Sequence, residues 1–339
     1  MTVSQYWYFN RFGHAKDVLE KGSQVLPQPG PGQVVVAIRA VGLNRADNLY
    51  MLGKHFPPKQ LPACVSHEAV GEIVQLGPKQ TGTAKRQAWK VGDRVAFVPM
   101  LVDTPGMGVL RDLGVYDQSA LLPVPEAFSD QEGAAYWMGI LTMGGAMEMA
   151  NLGPENCRGK VVVITAATGG TATIGLQLAR AWGADCIATT RSPAKVERLS
   201  ALASHVALVE SAEKLLHEVR ALCPKGADAI IDPLGGDFVG ASVRALAPGG
   251  RYVGYEAVTN PTGTYDTMAL IGADASIHGF TFFRLLQHPG LLDRMVGIGM
   301  EYSGQVKPIL AGSYRFDAAP EAYTALENPA HFGKVVITI

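Results

Sequence analysis

From Val161 onward the chain alternates short apolar strands with helices, and this alternation restricts the fold more than any other feature of the sequence. KVVVITAA reads as a buried strand, IGLQLARAWGA as a helix and CIATTR as a strand; PAKVERLSAL and EKLLHEVRALC follow as helices. ADAIIDPLG then reads as a strand, FVGASVRALAPGG as a helix and RYVGYEA as a strand. Strands separated by helices pair in parallel through right-handed crossovers, so this α/β segment is expected to be a doubly wound sheet. ASIHGFTFF is expected to add an edge strand, and LLDRMVGIGMEYSG a further helix.

The part before it differs in texture. GQVVVAIRAVGLN, EAVGEIVQLG, GDRVAFVPM and GVYDQSALLPVP are short β-branched runs punctuated by Gly and Pro, as in a small barrel-like β domain. SDQEGAAYWMGILTMGGAMEMA opens with Ser129 as an N-cap and an acidic residue three positions on, and reads as one largely apolar helix. The tail ending in GKVVITI returns to β-like runs and is expected to rejoin the first domain, which makes that domain discontinuous.

Composition excludes several classes. With 29 basic and 30 acidic residues the net charge is -1, so nothing favours nucleic acid or an anionic membrane as a partner. No apolar run reaches the length of about 18 to 20 residues that spans a bilayer, and the N-terminus lacks the pattern of a secretory signal. Cys64, Cys157, Cys186 and Cys223 stand far apart without a CxxC or Cys/His cluster, which argues for reduced thiols in a cytoplasmic protein.

Between the first strand and helix of the α/β segment, the pattern GxGxxG reads Ala-Thr-Gly-Gly-Thr-Ala, Ala167 to Ala172. The middle glycine, which admits a pyrophosphate against the backbone, is present as Gly169 with Gly170 beside it. Ala167 and Ala172 are the smallest replacements for the outer two, and Thr168 and Thr171 offer hydroxyls to phosphate. At the end of the next strand, where an acid would hold the ribose hydroxyls of NAD, stands ATTRSPAK. Arg191 and Lys195 suit a 2′-phosphate, so NADPH is expected over NADH; the alternative is that both are solvated surface charges. Arg180 is either a further phosphate contact or a surface residue. The same loop approaches the TGxxxGIG of short-chain dehydrogenases, but it lies mid-chain and no YxxxK follows.

VGLNRADNLYMLGKHFPP, LPACVSHEAVGEIVQLG, VGDRVAF, GVYDQSALLPVP, the loop, DPLGG, LAPGGRYVGYEA and HFGKVVI together, in this order, resemble the medium-chain dehydrogenase/reductase superfamily, in its zinc-independent quinone oxidoreductase and enoyl reductase branch. The resemblance covers nearly the whole chain. It implies a discontinuous GroES-like β-barrel catalytic domain, residues 1–125 and 300–339, around a Rossmann NADPH-binding domain, residues 126–299, with the active site in the cleft between them.

At the positions where zinc-dependent relatives carry Cys, His and Cys, this chain has Asn44, His67 and Met138, and the four-cysteine structural loop is absent. An imidazole beside an amide and a thioether is a poor zinc set, so no metal is expected. Reduction of an activated double bond needs only a donor for the developing oxyanion and a proton source. The resemblance places Asn44 near nicotinamide and substrate, with Asp47 orienting its segment; the alternative is a loop-capping amide. His55 stands where relatives carry a tyrosine, as proton donor or pocket wall, with Tyr50 as the fallback donor. Thr142, Tyr255, Phe280, Phe282 and His331 fall at positions that line the cofactor in relatives, or else pack the core. The insertion PKQTGTAKRQAWK is expected to decorate the surface, and MLVDTPGMGVLRDLG to roof a substrate pocket.

The expected activity is NADPH-dependent reduction of a small quinone, enone or enoyl substrate. A trans-acting enoyl or tailoring reductase of a biosynthetic pathway, and a non-enzymatic NADPH-binding scaffold, are the alternatives. A homodimer paired through the edge strand at Ser276 to Phe282 is expected.

Overall fold

A computed structural model describes residues 2–54, 56–78 and 88–339. The chain divides into two compact units, Met1–Met138 with Pro308–Ile339, and Gly139–Lys307. The second unit starts inside a helix, Trp137–Met149.

In the first unit the strand Gln33–Gly42 is the organising element, pairing antiparallel with Ala69–Leu76, Leu113–Asp117 and Lys334–Thr338. Leu310–Arg315, Arg94–Phe97 and Leu121–Pro123 complete a seven-stranded sheet, and Val3–Phe9 lies between Leu19–Val25 and Ala63–Cys64 in a smaller one. Val34, Val36, Val41, Ile73, Phe9 and Phe97 are fully enclosed here, each aliphatic side chain contributing about 1.5–3 kcal/mol by burial. The C-terminal strand rejoins this unit as the tail's β pattern indicates: Val336 faces Gly42 and Thr338 faces Ala40.

The second unit is a six-stranded sheet of parallel strands in the order His205–Leu208, Asp185–Thr190, Val161–Ile164, Ala227–Asp232, Leu246–Gly254, Ser276–Gly279. Chain direction through the sheet reverses between Val161–Ile164 and Ala227–Asp232, which creates a crevice at the carboxyl ends of these two strands. Ser276–Gly279 is the edge strand expected from ASIHGFTFF.

Two local readings change. Ser129 and Glu132 form the expected capping box, but the helix it starts ends at Ala134, and a second begins at Trp137. At the break the Ala134 carbonyl lies against Gly42, where a Cβ would be 1.9 Å from its oxygen, an approach that only glycine admits. The segment after VAFVP divides: residues 103–107 are exposed or partly exposed, and residues 108–111 turn inward. Val109, Leu110 and Arg111 are buried in the first unit, with Leu110 accepting from the Trp7 N–H and donating to Val65. The Arg111 guanidinium donates to the Gly108 carbonyl at 2.8 Å and to Cys64 Sγ at 3.3 Å, and stacks over Tyr6. The insertion before VGDRV lies largely outside the described residues.

Candidate functional site

Asn44 caps the helix Arg45–Met51: Asp47 Oδ2 accepts from the Asn44 backbone N–H at 2.9 Å, so Asp47 orients this segment as expected. Around them lies a buried polar network. Glu68 is its hub, with Oε2 accepting from Asn44 Nδ2 at 3.0 Å and from Lys334 Nζ at 2.6 Å, and Oε1 accepting from the Met138 N–H at 2.8 Å. Lys334 Nζ also donates to Asn44 Oδ1 at 2.6 Å. The second hydrogen of the Asn44 amide points at the Gly42 carbonyl, 3.4 Å away. Asn44 therefore spends its whole side chain inside the network, which serves position better than donation to a substrate oxygen.

A second layer supports the first. Ser66 Oγ lies 2.6 Å from the Tyr323 hydroxyl and 3.4 Å from Asp47 Oδ2, and His67 Nδ1 is 3.5 Å from Asp47 Oδ1. Burial pushes the Asp47 carboxyl up to about 7, opposed by the Asn44 backbone N–H and by the Lys334 charge. Glu68 and Lys334 thus form a buried ion pair that holds the Asn44 side chain and the Met138 backbone N–H, while His67 faces Asp47. Among the described residues, no three His, Cys, Asp or Glu side chains stand together as a metal-holding group.

Tyr50 lies on the same helix, its ring edge-on to Phe9 and its hydroxyl buried without a hydrogen-bond partner among the described residues. Burial raises its pKa, with the Cys64 and Asp103 charges adding to the shift, so the phenol stays protonated; its ring packs against the core of its own unit. His55 lies outside the described residues. His331 sits in the turn before the last strand, its N–H on the Asn328 carbonyl. Lys334, three residues later, is the group that sequence reasoning passed over. The available signal was a pair of opposite charges, Glu68 and Lys334, each embedded in an apolar run.

In the second unit the loop Thr165–Gly169 joins the strand Val161–Ile164 to the helix Gly170–Ala181, so Gly169 is the N-cap and Gly170 the first helical residue. Thr168, Gly169, Gly170 and Thr171 are all partly exposed at this positive helix end. A Cβ on Gly169 would meet nothing nearer than the Ala166 carbonyl at 4.0 Å, so the protein itself leaves open the space that a pyrophosphate needs. Ala167 and Ala172 are buried, as the outer positions of the pattern require. The tight helix packing, however, falls one turn later: a Cβ on Gly175 would lie 2.8 Å from Met143.

The loop is tied to the neighbouring strand, Ala167 N–H donating to the Thr189 carbonyl at 2.9 Å, which brings Arg191 to the same crevice edge. Arg191 is exposed and makes no ion pair or hydrogen bond among the described residues. Burial, then the charges of Arg191 and Arg198, lower the Lys195 pKa, the mark of like charges gathered at one place. Arg180 is engaged elsewhere, donating to the Ala201 carbonyl at 2.9 Å.

On the opposite side of the crevice, Asp232 accepts from Thr165, from Tyr252 at 2.8 Å and from the Gly235 N–H at 2.9 Å, fixing the turn DPLGG. Tyr255 follows, its N–H on the Asp232 carbonyl. Phe280 is buried and packs on Gly145, where a Cβ would lie 2.4 Å from its ring; Phe282, half-buried, caps a short helix. Thr142 lies on the helix Trp137–Met149 and is partly exposed.

Two family models match, "Alcohol dehydrogenase GroES-like domain" over residues 30–126 and "Zinc-binding dehydrogenase" over residues 170–296. The chain is 27% identical over 331 residues to a probable quinone oxidoreductase of Leishmania amazonensis, covering 93% of this chain and 91% of that protein. It is 30% identical over 312 residues to the spectinabilin polyketide synthase system protein NorB of Streptomyces orinoci, covering 91% of this chain. This chain spans only 13% of that synthase. The quinone oxidoreductase of Thermus thermophilus, whose crystal structures include a complex with NADPH, superposes with a TM-score of 0.81 at 28% identity, over 99% of this chain and 100% of that one.

Proposed function

The chain belongs to the medium-chain dehydrogenase/reductase superfamily, and we propose that within it this protein is a zinc-independent, NADPH-dependent reductase of quinones or of carbon–carbon double bonds conjugated to a carbonyl. The observation that carries this reading is the loop at the crevice edge. Gly169 leaves its space open, the helix end beside it is positive, and Arg191 and Lys195 form a cation cluster where an acid would select NAD.

The residues fit NADPH in stated roles. Gly169, Gly170 and the N-terminal N–H groups of the helix hold the pyrophosphate, with Thr168 and Thr171 as hydroxyl donors; Arg191 and Lys195 hold the 2′-phosphate. Tyr255, Thr142 and His331 are proposed to flank the nicotinamide end. NADPH supplies a hydride when bound. The substrate carbon that accepts it must be electrophilic without a metal's help, because the ligand positions carry one imidazole beside an amide and a thioether, and the amide is held by the Glu68–Lys334 pair. Asn44 is proposed to stand beside the nicotinamide and hold its loop in place; with its amide engaged, the proton comes from His55 or from water. Tyr50 is the weaker choice for that role, given that its hydroxyl is buried.

The kinship with a polyketide synthase favours a second reading, an enoyl or tailoring reductase acting on a carrier-bound substrate. We also assign a homodimer through the edge strand Ser276–Gly279, beside which Met268 is 71% and Ile271 63% exposed. The four free cysteines suit a reducing, cytoplasmic setting, and no helix among the described residues is long and apolar enough to cross a membrane. The test is a turnover screen with NADPH and NADH against 9,10-phenanthrenequinone, simple enones and enoyl thioesters. NADPH oxidation with at least one acceptor is expected; equal affinity for NADH, or zinc retained on metal analysis, overturns the reading.

A further inference from the structure

We infer that Lys334 is a positioning residue for the proposed reduction, an assignment that rests on the reading above: its ammonium locks the Asn44 side chain into one orientation and with it the start of the helix Arg45–Met51. Three observations meet here. Lys334 is 4% exposed and donates at 2.6 Å to both Asn44 Oδ1 and Glu68 Oε2. Its strand neighbours Val335, Val336 and Ile337 are buried and apolar, so a charge at 334 stands out in a strand otherwise built for packing. Replacing a buried ion pair by apolar groups is commonly neutral or stabilising, so folding alone does not account for a lysine here. What the lysine adds is orientation. An amide can flip by half a turn, exchanging oxygen for nitrogen, and a cation on one side with a carboxylate on the other permits only one of the two.

The backbone explains how two distant segments achieve this. Leu43 N–H donates to the Val335 carbonyl at 3.0 Å, and the register of Val336 on Gly42 sets Lys334 level with Asn44. Glu68 closes the triangle from the start of the adjacent strand Ala69–Leu76 and also takes the Met138 N–H. One charge pair thus fixes the amide, the helix start and the first turn of Trp137–Met149.

The experiment compares wild type, Lys334→Met, Lys334→Arg and the double variant Lys334→Met/Glu68→Gln in the full chain. It uses the best acceptor of the turnover screen, NADPH fluorescence titration and thermal melting. Lys334→Met is expected to lower kcat at least 30-fold while the NADPH Kd stays within about twofold, and Lys334→Arg to recover most of the loss, since Arg also carries a fixed charge. The double variant removes the unpaired carboxylate and should regain Tm without regaining kcat. Recovery of kcat together with Tm, or an unchanged kcat in Lys334→Met, overturns the assignment. If wild type turns over no acceptor, the reductase reading fails on its own, and positioning is read instead from the Asn44 side-chain amide by nitrogen-15 NMR. Two slowly exchanging protons in wild type that exchange freely in Lys334→Met support it; fast exchange in wild type overturns it.

Discussion

Lys334 reaches across 290 positions of sequence to hold Asn44 Oδ1 at 2.6 Å, so the terminal strand of the chain sets the geometry of a residue near its beginning. The pair is useful only while Glu68 balances the charge. Glu68→Ala leaves a buried cation without its partner and is expected to cost about 3–5 kcal/mol in denaturant unfolding. Glu218→Ala breaks the surface pair with Lys214, an i,i+4 contact at 2.7 Å, and is expected to cost less than about 0.5 kcal/mol. Similar losses in the two variants would show that the Glu68 site is wetter than its 1% exposure implies.

Asp47 gives the first unit a pH signature. Its carboxyl is raised to about 7 in the folded chain, chiefly by burial. A raised acid favours the folded state fully below its unfolded value of about 3.9, and that advantage is lost as pH rises towards 7, above which stability no longer changes on its account. Asp47→Asn removes the titration while keeping an oxygen for the Asn44 N–H. The difference in Tm between Asp47→Asn and wild type should therefore grow in the variant's favour from pH 4 to pH 7 and level off beyond. A difference that stays flat over that range would mean that Asp47 is ionised throughout.

Much of this arrangement was legible along the chain, and the part that was not has a common cause. The alternation from Val161 gave the parallel sheet and its edge at Ser276–Gly279 because strand and helix periods are local properties. The Ser129 and Asn44 caps were visible for the same reason, since a cap spans four residues. Lys334 was not, because its meaning lies in Glu68 and Asn44, which become its neighbours only when two antiparallel pairings set the register. Gly175 is similar: nothing in TATIGLQ announces that Met143 and Ile164 will crowd it from two other elements. Segment 108–111 read as an insertion by length, yet its burial depends on the Tyr6, Trp7 and Cys64 surfaces that receive it.

Gly169 of the proposed cofactor loop and Gly175 of the helix that follows should respond in opposite ways to valine. At Gly169 a side chain enters open space with an ordinary φ of -74°, so Gly169→Val is expected to shift stability by no more than about 1 kcal/mol, the cost of a poorer N-cap. The same side chain stands where the pyrophosphate is proposed to approach, and NADPH affinity should fall at least tenfold. At Gly175 a Cβ already lies 2.8 Å from Met143 and 3.2 Å from Ile164, so Gly175→Val is expected to destabilise by about 1–3 kcal/mol through overpacking. Paired melting and fluorescence titration separate the two. Unchanged NADPH affinity in Gly169→Val would remove this loop from the cofactor site.

The proposed dimer is tested at its apolar rim. Ile271 and Met268 project from the helix Thr267–Gly272, next in sequence to the edge strand, and both are mostly exposed in the single chain. Ile271→Glu places a charge in the surface that a second copy would cover, and desolvating it without a partner is unfavourable. Sedimentation equilibrium should show wild type at twice the chain mass and the variant at the chain mass with unaltered Tm. A monomeric wild type would leave the edge strand unpaired and the assignment void.

Arg191 is the residue proposed to select the cofactor. Exposed, and without an ion pair or hydrogen bond among the described residues, it has no structural work that its removal would disturb. A hydrogen bond between a guanidinium and a phosphate is worth about 1.5–3 kcal/mol, or roughly 10- to 100-fold in affinity. Arg191→Ala should weaken NADPH by that factor and leave NADH nearly unchanged, because only the former carries the 2′-phosphate. The loss should shrink as salt rises, since an exposed charge is screened within about 10 Å at 0.1 M. Adding Lys195→Ala should enlarge the effect less than additively, because losing one cation of a crowded pair relieves repulsion on the other, whose pKa its neighbours now lower. Parallel loss of NADPH and NADH binding in Arg191→Ala would place the residue on the pyrophosphate or outside the site, and would withdraw the preference for NADPH.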